Sequence, residues 1–258
     1  MNISLQPYFD ILNSFFDHIY VITLQRAADR QRHIQHELAG LNYQLFFGHD
    51  KQQFTIEDIK QQGIYNEALA KKHHRYNKPM HAGQIGCAWS HTEVYKDMVQ
   101  NNYQQVLILE DDIVLDKNQL PLISDILPQL PADWELLYFV FAQQEKAPPL
   151  QIFTKAYYHV LRLISATRLT AKTIHNYYPK KINQHIYTAG YHDCTHAYAI
   201  TQPAAQKLLA LQQPISFIAD NLLAYACTNE VVKGYIILPK IIHQQYQVNI
   251  NTLSYLNE

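Results

Sequence analysis

Four consecutive apolar residues, Val106-Leu107-Ile108-Leu109, run without a break into three carboxylates, Glu110-Asp111-Asp112. A strand that is apolar on both faces belongs in the middle of a sheet covered by helices on both sides. Similar short runs rich in β-branched and aromatic residues recur at 18–24, 43–47, 134–141, 196–200 and 235–238. Between them, apolar residues fall at helical spacing. Ile34, Leu38 and Leu41 follow Asp29, and Ile85, Ala88, Trp89, Tyr95, Met98 and Val99 line 84–100. Thr201 is placed to cap a helix containing Pro203, Leu208 and Leu209, and 217–226 reads as another. Thr55-Ile56-Glu57-Asp58 resembles a capping box opening a short helix that stops near Gly63. Strands alternating with helices predict a single α/β domain with a mostly parallel central sheet and helices on both faces.

Composition sets the limits. The chain has 258 residues, 48% hydrophobic and 17% charged, which suits one folded domain and not a disordered chain. The net charge of -1 gives no overall attraction to nucleic acid. Cys87, Cys194 and Cys227 form no CxxC pair, which argues against a disulfide framework and a zinc site. A reducing compartment, and so the cytoplasm, is the expected location. No apolar run approaches membrane-spanning length. Residues 1–17 read as an N-terminal extension. Its apolar stretch 8–16 is expected to pack on the domain, since no Lys or Arg precedes Arg26 to attract anionic lipid. Peripheral contact with the inner membrane face stays open.

The carboxylates are the informative feature. In open α/β sheets, ligands bind beyond the carboxyl ends of the strands. Three adjacent anions repel one another, and burying any of them unpaired is unfavourable. A hard divalent cation such as Mn²⁺ or Mg²⁺ would resolve the conflict and still leave coordination sites for phosphate oxygens. In an extended segment Glu110 and Asp112 project to one side and Asp111 to the other, so Glu110 and Asp112 can share an ion. The alternative is an acidic, solvated turn. A metal bridging a nucleoside diphosphate would neutralise the charge that grows as a glycosidic bond breaks.

Several segments together resemble glycosyltransferase family 25. Val21-Ile22-Thr23-Leu24 with Arg26, Asp29 and Arg30 looks like that family's opening strand and Asp-Arg pair. Gly83-Gln84-Ile85-Gly86-Cys87-Ala88-Trp89-Ser90-His91 is similar to its Gly-x-x-Gly-Cys-x-x-Ser-His motif, and Leu107 to Asp112 to its Asp-x-Asp-like motif. Ala197-Tyr198-Ala199-Ile200 with Ala205, Leu208 and Leu209 looks like a later strand-helix unit. Thr23 stands where the family usually has Asn, and 142–192 matches no part of the pattern.

The resemblance implies a GT-A-like fold. It also implies inverting transfer of galactose or glucose from a UDP-sugar to a saccharide acceptor, in lipopolysaccharide or another surface glycan. Glu110 and Asp112 would then bind the metal or the donor ribose, with Asp111 beside them. Arg30 would approach uracil or diphosphate, and Ser90 and His91 the donor phosphates. Asp220 would be the general base and His243 a late metal ligand. Each has a plainer alternative: a surface arginine, a packed histidine, a helix-starting aspartate and a surface histidine.

Between Glu145 and Asp193 there is no acidic residue. The stretch carries Lys146, Lys155, Arg162, Arg168, Lys172, Lys180 and Lys181, interleaved with tyrosines. Segment 142–192 therefore reads as a basic, Tyr-rich insertion for an anionic partner, either a glycolipid acceptor or the membrane surface carrying it. The alternative is a solvated insertion. Two rival functions remain: a degenerate fold that only binds glycans or nucleotide-sugars, and a nucleotidyltransferase. The second is disfavoured because 23–32 lacks the Gly-rich loop such enzymes use.

Overall fold

The segment Val106–Leu109 is fully buried, as its composition demands. Each such Leu or Ile contributes about 1.5–3 kcal/mol by leaving water. The computed structural model describes residues 4–245. Along the chain come α1 (Gln6–Phe15), β1 (His18–Thr23), α2 (Ala28–Glu37) and β2 (Gln44–Phe47). Two short helices, α3 (Ile56–Gln61) and α4 (Glu67–His73), precede the long α5 (Ala82–Gln100). Then follow β3 (Gln105–Glu110), β4 (Ile113–Leu115), α6 (Ile123–Ile126) and β5 (Leu136–Tyr138). The basic segment holds α7 (Gln151–Leu163), α8 (Ala171–His175), β6 (Lys180–Lys181) and β7 (Ile186–Thr188). The chain continues through β8 (Ala197–Thr201), α9 (Gln202–Gln212), α10 (Ala219–Thr228), β9 (Gly234–Ile237) and β10 (Ile242–Gln244).

Eight strands form one sheet in the order β2-β1-β3-β8-β5-β9-β7-β6, and β10 pairs with β4 in a separate ribbon. The parallel order expected from the sequence holds for β2-β1-β3 and for β5-β9. Strand β8 runs antiparallel to both β3 and β5, so the sheet is mixed. Side-chain alternation splits the core in two. Ile19, Val21, Leu107 and Leu109 face α1, α2 and α6, while Tyr20, Ile22, Val106 and Ile108 face α5, α9 and α10. The N-terminal extension packs on the first face through Phe9, Leu12 and Phe16.

The basic segment 142–192 is only partly an appendage. Its β7 joins the central sheet beside β9, with Ile186 fully buried, and His192 is fully buried too. Thr201 stands at the N-cap of α9, but its hydroxyl makes no capping bond. His81 caps α5 instead, in a reciprocal pair with Gln84. Gly86 in that helix lies under the loop leaving β2. A Cβ there would stand 2.6 Å from the His49 carbonyl oxygen, so only glycine lets loop and helix approach this closely.

Candidate active site

The carboxyl ends of β1 and β3, the start of α5 and the residues leading into β8 surround an open cleft. Arg26, Arg30, His49, Ser90, Glu110 and His196 are among its lining side chains. The carboxylates divide as their alternation requires. Asp111 turns toward β1, where the Thr23 hydroxyl donates to it at 2.6 Å and Arg30 Nη1 at 2.9 Å. Burial pushes the Asp111 carboxyl up, with Thr23 and Arg30 opposing the shift. Arg30 Nη1 also lies 3.9 Å from Asp112 Oδ2.

Glu110 and Asp112 turn the other way and meet His196. The antiparallel pairing of β3 with β8 accounts for this meeting, since Glu110 N–H donates to the His196 carbonyl at 2.8 Å. His196 Nδ1 donates to Glu110 Oε2 at 2.8 Å and lies 3.2 Å from Asp112 Oδ1. Thr195 donates to Glu110 Oε1 at 2.6 Å, and Gln244 Nε2 to Asp112 Oδ2 at 3.1 Å. One N–H can satisfy one acceptor well, and Glu110 takes it. Among the described residues, Asp112 Oδ1 is therefore a buried oxygen without a well-aligned donor, His196 Nδ1 standing off at 3.2 Å. Burial opposes ionisation of all three groups. The mutual attraction prevails, raising His196 well above its ordinary value and holding Glu110 and Asp112 below theirs.

Ligand atoms of Glu110, Asp112 and His196 lie within 4.8 Å of one another, as do those of Cys87, His91 and Glu110. Two carboxylates and an imidazole, with one oxygen lacking a well-aligned donor among the described residues, fit a divalent cation of the Mn²⁺ or Mg²⁺ type.

The structure brings some expected residues to this place and not others. His91 points at Glu110, with Nε2 3.3 Å from Oε1, while Nδ1 is 2.8 Å from the Tyr198 hydroxyl. Tyr198 in turn bonds Tyr95 at 2.7 Å. His91 is only 2% exposed, and both ring nitrogens already have partners. Ser90 donates to the Gly86 carbonyl at 2.7 Å and accepts from His49 N–H at 2.8 Å, which fixes the loop over α5. His49 stacks on Trp89 with ring centroids 3.6 Å apart. His243 sits 3.5 Å from Asp116, and its strand neighbour Gln244 is the residue that reaches Asp112.

Asp220 opens α10. Its carboxylate accepts from Asn221 N–H at 2.7 Å and Cys194 N–H at 3.4 Å. Burial raises its pKa, the two backbone donors oppose the shift, and the Glu110 and His196 charges are near enough to act on it. Asp193, not singled out in the sequence, is pushed up to about 6 by burial and by the Asp220 charge. A carboxyl whose folded pKa is raised loses stability as pH rises from its unfolded value toward 6. Asp193→Asn is thus expected to raise the melting temperature at neutral pH. It should also flatten the decline in melting temperature between about pH 4 and 6, read by thermal unfolding at several pH values.

The family model for glycosyltransferase family 25 (LPS biosynthesis protein) matches residues 16–223. The chain belongs to glycosyltransferase family 25. A Glycosyltransferase 25 family member of Anopheles gambiae is 33% identical over 129 residues, 47% of this chain and 21% of that protein. Procollagen galactosyltransferase 2 of Homo sapiens is 27% identical over 157 residues, 58% of this chain and 24% of that one. In each of these comparisons the match spans no more than about a quarter of the relative's length. The family match contains β1, α5, β3 and β8, and so every element that builds the carboxylate site except β10.

His196, Thr195 and Gln244 are the site residues that sequence reading missed. The available signal was Asp193-Cys194-Thr195-His196, a polar cluster set directly before an apolar strand.

Proposed function

We propose that this family 25 chain is a metal-dependent, inverting glycosyltransferase. It moves galactose or glucose from a UDP-sugar to a saccharide acceptor of a surface glycan such as lipopolysaccharide. The observation that carries this reading is the convergence of Glu110, Asp112 and His196, with Asp112 Oδ1 lacking a well-aligned donor among the described residues. When bound, Mn²⁺ or Mg²⁺ supplies neutralisation of the charge that develops on the departing diphosphate. Arg30, already at the rim beside Asp111 and Asp112, adds a fixed positive charge on the same side. The His49–Trp89 stack offers an aromatic wall for a base or sugar.

Asp220 suits the general base. Transfer with inversion needs one carboxylate to take the acceptor proton, and its raised pKa strengthens it for that task. The galactosyltransferase name of the human relative supports galactose as the first donor to try. Three free cysteines favour a reducing, cytoplasmic setting.

One observation favours a second, metal-free reading: His196, held charged between Glu110 and Asp112, is itself a cation at the site. The two readings separate in an assay of UDP release from UDP-galactose and UDP-glucose, run with Mn²⁺ and with excess chelator. Turnover that needs the metal supports the first, and full turnover in chelator supports the second. A thermal-shift screen of nucleotide-sugars identifies the donor, because a ligand at about 100 times its Kd stabilises by about 2.7 kcal/mol.

A further inference from the structure

Helix α7 is amphipathic in the wrong direction for a globular protein. Surface helices normally turn their apolar stripe to the core. None of the residues of α7 is buried. Ile152 is 70% exposed, Phe153 68% and Leu163 79%, with Tyr157, Val160 and Ile164 also exposed. Phe153, Tyr157, Val160 and Ile164 repeat at helical spacing, so they form one continuous outward stripe.

The inward side is already committed. Tyr158 packs on Tyr177 with centroids 5.1 Å apart, beneath the Arg75 guanidinium at 4.7 Å. Lys155 donates to the His175 carbonyl at 2.8 Å. Rotating the helix to hide the stripe would break these contacts. An exposed apolar stripe on a held helix marks an interaction surface.

We propose that the outward face of α7 lies in the headgroup region of an anionic lipid bilayer. At 13 residues the helix is about 20 Å long, too short to span the hydrocarbon core and suited to lying flat at its boundary. Charge selects this occupant. Seven Lys or Arg and no acid fall between Glu145 and Asp193, in a chain of net charge -1. Arg162 is exposed on the helix, and Lys146, Arg168 and Lys181 are exposed elsewhere in the same segment, while Lys172 is paired with Glu230. Anionic headgroups complement that cluster. A second copy docked face to face would set the same cations against one another.

Behind α7, Tyr177 stacks on Tyr191 at 5.6 Å, and the Tyr191 hydroxyl donates to Asn221 at 2.9 Å, next to Asp220. The bilayer would therefore lie behind the Asp220 side of the site. The proposal does not depend on the donor or metal reading.

The test is cosedimentation with vesicles of phosphatidylglycerol in phosphatidylcholine, against pure phosphatidylcholine. It compares the wild type with a variant carrying Ile152→Ser, Phe153→Ser, Val160→Ser and Leu163→Ser. The wild type should bind the anionic vesicles. The variant, with an unchanged melting temperature, should partition at least about tenfold less. A wild type that ignores anionic vesicles, or a variant that binds as the wild type does, would overturn the proposal. Sedimentation velocity in the same buffers adds a third outcome. Self-association abolished by these substitutions, without vesicle binding, would assign the face to a second copy and equally overturn it. UDP release from a soluble donor reads the active site separately, so failure of one reading leaves the other standing.

Discussion

Asp112→Ala is expected to lower UDP release by about a thousandfold or more, while the protein keeps its fold. Asp112 is the group whose Oδ1 is buried without a well-aligned donor among the described residues, and in the metal-dependent reading that oxygen is a ligand atom. Losing one stabilising group at a site of developing charge typically lowers turnover by about 10²–10³-fold, and losing the cation removes more. The fold should survive because the substitution removes one of three crowded anions, leaving Glu110 with His196, Thr195 and His91. Circular dichroism and a melting curve check the fold, and a coupled UDP assay checks the rate. A variant within tenfold of the wild type would remove Asp112 from the chemistry.

His196→Ala should damage both stability and turnover. His196 is the positive member of a buried trio, 2.8 Å from Glu110 and 3.2 Å from Asp112. Removing one partner of a buried ion pair leaves uncompensated charge and typically costs about 3–5 kcal/mol. The sign with pH is fixed by the directions of the shifts. His196 is raised, so its contribution is fully present below its unfolded pKa and is lost as pH climbs through the folded one. Glu110 is lowered, so its contribution is present above its unfolded pKa and is lost as pH falls through the folded one. The stability gap between wild type and variant should therefore be widest between about pH 4.5 and 6.5 and narrow on either side. Urea unfolding at several pH values measures it. A gap that widens steadily into alkaline pH would show that His196 is not the charged partner. Added Mn²⁺ should restore part of the stability lost in His196→Ala, because Glu110 and Asp112 remain to receive it.

The sequence made one half of the site legible. A strand of four apolar residues must be central, and the carboxylates that follow must stand at its carboxyl end, with Glu110 and Asp112 on one side. Arg30 is legible only through the resemblance of Val21-Ile22-Thr23-Leu24 and the Asp29-Arg30 pair to the family's opening strand. The other half depends on pairing that hydrophobic pattern does not encode. His196 reaches Glu110 only because β8 runs antiparallel to β3 in a particular register, and apolar runs read the same in either direction. His243 lies beside Asp116 while its neighbour Gln244 reaches Asp112, because on a strand one residue changes the face.

Ser90 and His91 were correctly set on a helix facing the carboxylates. His91 Nε2 does reach Glu110, but the Ser90 hydroxyl holds the loop at His49 and His91 Nδ1 joins the Tyr198–Tyr95 row, which no spacing rule reveals. The basic segment was legible as charge, and the periodicity of α7 is visible in its letters. That the stripe faces solvent follows only from Tyr158 and Lys155 being held on the inner side.

Calorimetric titration of UDP into the wild-type protein, in Mn²⁺ and then in excess chelator, tests the central claim most directly. If Glu110, Asp112 and His196 hold a cation that in turn holds the diphosphate, UDP should bind at least about tenfold more tightly with Mn²⁺, and Asp112→Ala should erase the difference. Equal affinity in Mn²⁺ and in chelator would contradict it.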